Sequence, residues 1–214
     1  MPQDEHLEIP GDATLQIAVA EALACRACAS EFASTHTGHS PRPVLRPSST
    51  ARICIAGQAP GLRVHESGTP FDDPSGERLR DWMGVDRQIF YDESRIAIVP
   101  MAFCFPGYDA KGGDLPPPKR CASLWRARLF ELQPQIELMI LVGQYAQAWH
   151  LGPRRAKTLT ETVRNWRSYW ESDARPRLFP TPHPSWRNNT WLKKNPWFEG
   201  EALPVLRAAI AQRL

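Results

Sequence analysis

Residues 52–71, RICIAGQAPGLRVHESGTPF, decide how the rest of the chain is read. Ile53, Cys54, Ile55 and Ala56 are apolar without alternation, the pattern of a strand buried on both faces, as in a parallel sheet covered by helices. The run breaks at Gly57 into the turn Gly57–Gln58–Ala59–Pro60–Gly61. In open parallel sheets ligands bind beyond the carboxyl ends of the strands, so a turn in this place is a candidate ligand site. It carries no carboxylate. Its one polar side chain is Gln58, a neutral amide that can accept and donate at once.

Three further apolar runs repeat the theme: RIAIVPM at 95–101, IELMILVG at 136–143 and RLFP at 177–180. Helical spacing falls between them, at residues 13–33, around Leu79, Trp82 and Met83, and at 119–132, 144–150, 158–170 and 203–214. A long loop is expected from the 57–61 turn to Gly76. Strands alternating with helices predict an α/β fold with a mainly parallel sheet covered on both faces. The three most unusual segments, GQAPG, AFCFPG (102–107) and TPHPSWRN (181–188), all follow strands and so are expected to line one cleft. With no internal repeat and no linker, 214 residues read as one domain, residues 1–12 forming a flexible tail.

Composition narrows the function. A hydrophobic share of 42% excludes a disordered chain, and the 21 prolines imply long ordered loops. A net charge of +3 permits nucleic acid as a partner without demanding it. The basic, aromatic stretch from Trp186 to Lys194 contains no acid, a pattern suited to a DNA-facing surface. The N-terminus lacks the apolar core of a secretory signal, and no apolar run approaches the roughly 20 residues of a membrane span. The expectation is a cytoplasmic monomer with no membrane partner.

In that compartment five cysteines point to ligands or plain thiols and not to disulfides. Cys25 and Cys28 form a CxxC pair, while Cys104 and Cys121 flank one Pro/Gly-rich loop. The four read together as a thiolate site for zinc or an iron–sulfur cluster, since both accept four sulfurs. The alternative is four unrelated thiols. Cys54, inside the strand, reads as a buried thiol.

In combination, Cys25/Cys28, GQAPG at 57–61, GTPF at 68–71, Cys104, Cys121 and PTPHPS at 180–185 resemble the uracil-DNA glycosylase superfamily, closest to its family-4 type. The resemblance implies a three-layer αβα sandwich with a central four-stranded, mainly parallel sheet. It implies a 4Fe-4S cluster on Cys25, Cys28, Cys104 and Cys121, and a flipped base in DNA as substrate. By position, the turn with Gly57, Gln58 and Ala59 would hold the hydrolytic water. Phe71 would stack on the base, with Met101 beside it, and His183 would donate to the base carbonyl. Ser185, Arg187, Asn188 and Lys193 would grip DNA.

The chain departs from the family-4 pattern in the turn, where that type carries GEAPG. Gln58 replaces the acid, Ala59 the aspartate of the best-known uracil enzymes, and Val64–His65 a later acidic pair. Pro100 falls where an asparagine reads the uracil edge. Asp72 and Asp73, next to Phe71, are candidates for a displaced catalytic acid, or else a helix cap. Glu66 and His65 read as solvated loop residues, and Trp149, Trp166 and Trp170 as core. The loop YDAKGGDLPPPKR (108–120) lacks the histidine with which one superfamily branch bonds to its product. The expected activity is hydrolysis of the N-glycosidic bond of uracil or another deaminated or modified base in DNA. The alternatives are a non-catalytic, cluster-containing module binding damaged or single-stranded DNA, and a hydrolase of free nucleosides or nucleotides.

Overall fold

The computed structural model describes residues 10–214. The four apolar runs become strands β1 (Ile53–Ala56), β2 (Ile96–Ile98), β3 (Leu138–Val142) and β4 (Arg177–Thr181). They form one sheet in the order β2-β1-β3-β4, with every pairing parallel and Ile53 in register with both Ile96 and Leu138. Helices α1 (Pro10–Leu23) and α2 (Ala29–Ala33) precede β1. Between β1 and β2 lie α3 (Leu62–Ser67), α4 (Pro74–Met83) and α5 (Arg87–Tyr91). The next segment runs through α6 (Lys119–Cys121), a π-helical turn over Ala122–Arg126 and α7 (Ala127–Glu131). After β3 come α8 (Gln144–Leu151), α9 (Leu159–Arg164) and α10 (Trp166–Trp170), and after β4 come α11 (Asn189–Lys194) and α12 (Leu203–Ala211).

Side-chain alternation divides the strands between two cores. Ile53, Ile55, Ile98, Leu138, Ile140 and Phe179 pack against Leu79, Trp82 and Met83 of α4 and Leu206 and Ile210 of α12. Cys54, Ala56, Ala97, Met139 and Leu141 face Leu15 and Ala22 of α1, Leu129 of α7 and Ala146 of α8. The expected α/β three-layer arrangement with a four-stranded parallel sheet is what these two cores build. Each fully buried Ile or Leu contributes about 2 kcal/mol. The chain steps from β1 to β2 on one side, then crosses to β3 on the other. The strand ends beside β1 therefore flank the switch point where such sheets hold ligands.

Several boundaries differ from the sequence reading. The helix expected over 13–33 is two helices, because the chain turns after Leu23 and places Cys25 and Cys28 between α1 and α2. The loop expected up to Gly76 contains α3, and α5 is also additional. Both are short and held by tertiary contacts, so neither leaves a full period of apolar residues. The helix over 158–170 breaks at Asn165. The supposed tail begins its helix at Pro10, and the rest of that expectation lies outside the described residues. Trp149 is 45% exposed and not core, unlike Trp166 at 4%. His65 is not a solvated loop residue: it sits in α3 with its ring 5.2 Å from His39 and 6.0 Å from Phe105. Among the described residues no helix is long and apolar enough to cross a membrane.

Candidate active site

The turn after β1 is stitched to the segment after β2. Met101 N–H donates to Gly57 C=O at 2.9 Å and Ala102 N–H to Gln58 C=O at 3.0 Å. These bonds satisfy the backbone just where β1 leaves the ladder. Gly57 is glycine for a close approach, since a Cβ there would fall 3.1 Å from Cζ of Phe71.

Phe71 is the only non-glycine among the described residues with positive φ, at 56°. That conformation costs about 1–2 kcal/mol in an L-residue. It is held from several sides. A Cβ at Gly76 would overlap the Phe71 carbonyl oxygen at 1.8 Å, so only glycine lets α4 start there. The Phe71 ring meets Phe90 edge-on at 6.0 Å, and Tyr91 OH donates to Pro70 C=O at 3.0 Å. Strain held this firmly beside a cavity is the usual companion of a presented functional side chain.

His183 follows β4 between two prolines. Asn188 Nδ2 donates to its carbonyl at 2.7 Å, Arg78 Nη1 to the Ser185 carbonyl at 3.0 Å, and Arg187 N–H to Ser185 Oγ at 3.2 Å. These bonds fix the loop and leave the imidazole free: its ring nitrogens make no hydrogen bond among the described residues. Burial lowers the ring's pKa, opposed by Asp73 and Asp114 and reinforced by Arg187. At neutral pH it is therefore an uncharged imidazole, able to donate from one nitrogen.

These elements enclose a cavity of about 380 Å³, within the range of small-molecule sites. Gly57, Gln58, Ala59, Phe71, Asp73, Ser185, Arg187 and His183 line it, together with Pro100, Tyr108 and Asp114. The Gln58 amide makes no side-chain hydrogen bond among the described residues. Asp73 caps α4, its Oδ1 accepting from Gly76 N–H at 2.8 Å. Asp72 is turned to Arg87 at 3.1 Å and does not line the cavity. Met101 packs into the core below, contributing its backbone N–H to the turn. Lys193 lies exposed on α11, away from the cavity wall, and Asn188 acts through the His183 carbonyl. Glu66 is exposed and not in the wall. Trp186 is 71% exposed at the mouth, with the Arg187 guanidinium 5.9 Å from its ring centre. Trp191 is structural, packing on the core and donating to Thr160 Oγ1 at 2.8 Å.

The sequence reading missed Asp114 and Tyr108. No local pattern marks them, because a loop distant in sequence carries them to the wall.

Cys25, Cys28, Cys104 and Cys121 line a second, small cavity walled otherwise by Ala, Pro, Phe, Leu and Trp, with Arg120 at its edge. Arg120 ties the region together, donating to Ala27 C=O at 3.1 Å and pairing with Glu31 at 3.3 Å. Phe103 N–H donates to Cys121 Sγ at 3.4 Å. Burial, then the neighbouring Cys121, pushes the Cys104 thiol up to about 12, and burial raises Cys121 to about 11. Trp125 borders this cavity, and its indole N–H is buried without a hydrogen-bond partner among the described residues. No group of three or more His, Cys, Asp or Glu among the described residues is placed to hold a single metal ion. Cys54 is a buried thiol, as its strand position implies.

Arg126 is buried and bonds the backbone of Pro100, a residue of the first cavity's wall. It is 1% exposed and has no carboxylate partner among the described residues. Its Nη1 donates to the carbonyls of Val99 at 2.5 Å and Pro100 at 3.0 Å, and its Nε to His150 Nε2 at 2.9 Å.

The family model described as the Uracil DNA glycosylase superfamily matches residues 44–207, from the segment before β1 into α12.

Proposed function

Because the chain belongs to the uracil DNA glycosylase superfamily, we propose that this cavity hydrolyses the N-glycosidic bond of uracil, or of another deaminated or modified base, flipped out of DNA. The observation that carries the proposal is the convergence of three groups on one cavity. These are the amide of Gln58 and the neutral imidazole of His183, both without a hydrogen-bond partner among the described residues, and the strained ring of Phe71. Bond cleavage leaves negative charge on the base and oxocarbenium character on the sugar. A fixed donor inside a shielded cavity stabilises the first, so His183 is assigned to the departing base. Phe71 stacks on the base, as an aromatic face does for any nucleobase. Gln58 orients the water through its amide oxygen while its NH₂ group remains free to bond elsewhere. Arg187 and Ser185, with exposed Trp186, meet the strand at the mouth, where phosphate contacts position the DNA. Pro100 in the wall has no donor for the base edge, which leaves deaminated bases other than uracil within reach.

The family-4 type of the superfamily is the branch we assign, with a 4Fe-4S cluster on Cys25, Cys28, Cys104 and Cys121. Two features support a bound group here. All four thiols share one cavity, and the orphaned Trp125 N–H would find an acceptor in a cluster sulfur. A bound cluster supplies a positive centre that offsets the thiolates and ties α1–α2 to the loop after β2. The base chemistry needs only the residues of the other cavity.

The test is base release from single- and double-stranded oligonucleotides carrying uracil, hypoxanthine, xanthine or hydroxymethyluracil. Release of one of these bases, abolished by His183→Ala, is the expected result. Tight oligonucleotide binding with no release would replace the proposal with a non-catalytic DNA-binding module, and release from free nucleosides alone with a nucleoside hydrolase.

A further inference from the structure

The turn after β1 has no acid, yet the wall of the cavity does. Asp114 is carried there by the loop that follows β2, and it differs from every other nearby carboxylate. Asp73 has one oxygen committed to the cap of α4, Asp72 is paired with Arg87, and Glu66 lies outside the wall. The Asp114 carboxylate makes no hydrogen bond and no ion pair among the described residues.

Its loop is nevertheless built to hold it. Asp109 Oδ1 accepts from Lys111 N–H at 2.8 Å and Gly113 N–H at 2.9 Å, closing a turn on its own backbone. Asp109 N–H donates to Gly113 C=O at 2.8 Å and Leu115 N–H to Gly107 C=O at 2.9 Å, while Tyr108 and Asp114 form an antiparallel bridge. The backbone is thus tied on both sides of Asp114, and three prolines stiffen the exit at 116–118. An ordered loop that ends in an unpaired carboxylate on a cavity wall has spent its hydrogen bonds on position and none on the carboxylate itself.

We propose that Asp114 is the general base of this cavity, taking a proton from the water that Gln58 orients. The inference rests on the reading of the cavity as a site of N-glycosidic hydrolysis. In the step, the bond from the anomeric carbon to the base nitrogen breaks and its electron pair leaves with the base. The water oxygen bonds to the anomeric carbon, and its proton passes to the Asp114 carboxylate. That proton then goes to the departing base, so one water is consumed and the carboxylate is regenerated. The acid that the turn after β1 lacks is supplied from a different loop.

The groups facing Asp114 agree with this role. Desolvation raises its pKa although the residue keeps solvent access at the mouth. Arg187 and His183 lower it, and Asp73 raises it. A carboxylate whose pKa is raised is a stronger base. Tyr108, its partner in the backbone bridge, completes the titratable groups around it.

The experiment is single-turnover base release over a range of pH from the released base of the four-base oligonucleotide panel. It compares the unsubstituted protein with Asp114→Asn and Asp114→Glu, alongside oligonucleotide affinity and melting temperature. The expected result for Asp114→Asn is a loss of about 10²-fold in rate, with unchanged melting and affinity. Release by the unsubstituted protein should fall on acidification as Asp114 takes up its proton. Asp114→Asn should lack that fall, and Asp114→Glu should restore it with part of the rate. An Asp114→Asn rate within threefold of the unsubstituted protein would overturn the inference and leave the glycosylase reading standing. A loss confined to affinity would do the same. No release by the unsubstituted protein would bring down the glycosylase reading, and the inference with it.

Discussion

The two cavities lie on either side of one stretch of chain. Pro100, Pro106 and Tyr108 face the cavity with His183, while Ala102, Phe103 and Cys104 face the cysteines. Their polar groups are treated in opposite ways. In the first, Gln58, His183 and Asp114 have backbones held by hydrogen bonds and side chains that bond to nothing among the described residues. In the second, the surroundings are tied to one another, Arg120 to Glu31 and to Ala27, Phe103 to the Cys121 sulfur. Groups left unpaired in a rigid frame suit a ligand that arrives and leaves. A wall closed on itself suits a resident one, and among the described residues the buried Trp125 N–H there still lacks an acceptor.

The comparison breaks first at His183. If the first cavity is preorganised for charge on a departing base, His183→Ala lowers the single-turnover rate by about 10²–10³-fold, as removal of one fixed donor does elsewhere. Its melting temperature should change little, because the imidazole makes no hydrogen bond among the described residues. A large loss of stability would show the ring to be structural. Cys104→Ala should do the reverse. If the second cavity holds the proposed cluster, it should remove visible absorbance and bound iron and lower the melting temperature, with base release by the surviving folded protein reduced far less than by His183→Ala.

Arg126 holds the start of the stretch of chain that the two cavities share. Substitution by Met leaves the Val99 and Pro100 carbonyls without a donor, at about 1–3 kcal/mol for each buried group, so a loss of about 3 kcal/mol is expected by urea unfolding. Its charge has a consequence for pH. Burial, with Arg126 beside it, depresses His150 to about 2, so the imidazole stays neutral in the folded protein while the unfolded chain takes up a proton below about 6.5. Stability from this group is complete above that pH and declines on acidification, by up to about 1.4 kcal/mol per pH unit. His150→Gln, whose amide oxygen can still accept from Arg126, should flatten that decline in urea titrations between pH 7 and pH 5.

The smallest effect belongs to Asp73. As the cap of α4 it should be worth about 1 kcal/mol against alanine, with serine restoring most of the stability. A greater loss of rate than of stability in Asp73→Ser would return it to the catalytic set.

How much of this was legible follows from what each feature depends on. The strands were readable because a parallel strand buried on both faces must be apolar throughout, and Ile53–Ala56 and Leu138–Val142 are. The loops that meet at the cavity were readable because each follows a strand. The short helix α5 was hidden because its stability comes from the Asp86 cap and from Phe90 in the core, not from a repeating pattern. Arg126 looks like any helix-surface cation until the π-helical turn carries it inward. Asp114 reads as one acid in a polar loop. Only the turn closed by Asp109 and the pairing with Tyr108 bring it to the wall, and both depend on the loop's closed geometry.

The most direct test of the account is base release by the intact protein from the four-base oligonucleotide panel, measured side by side with His183→Ala. The account predicts release of at least one base, reduced by about 10² or more in the variant. Release that His183→Ala leaves unchanged, or binding of every oligonucleotide with release of none, would contradict it.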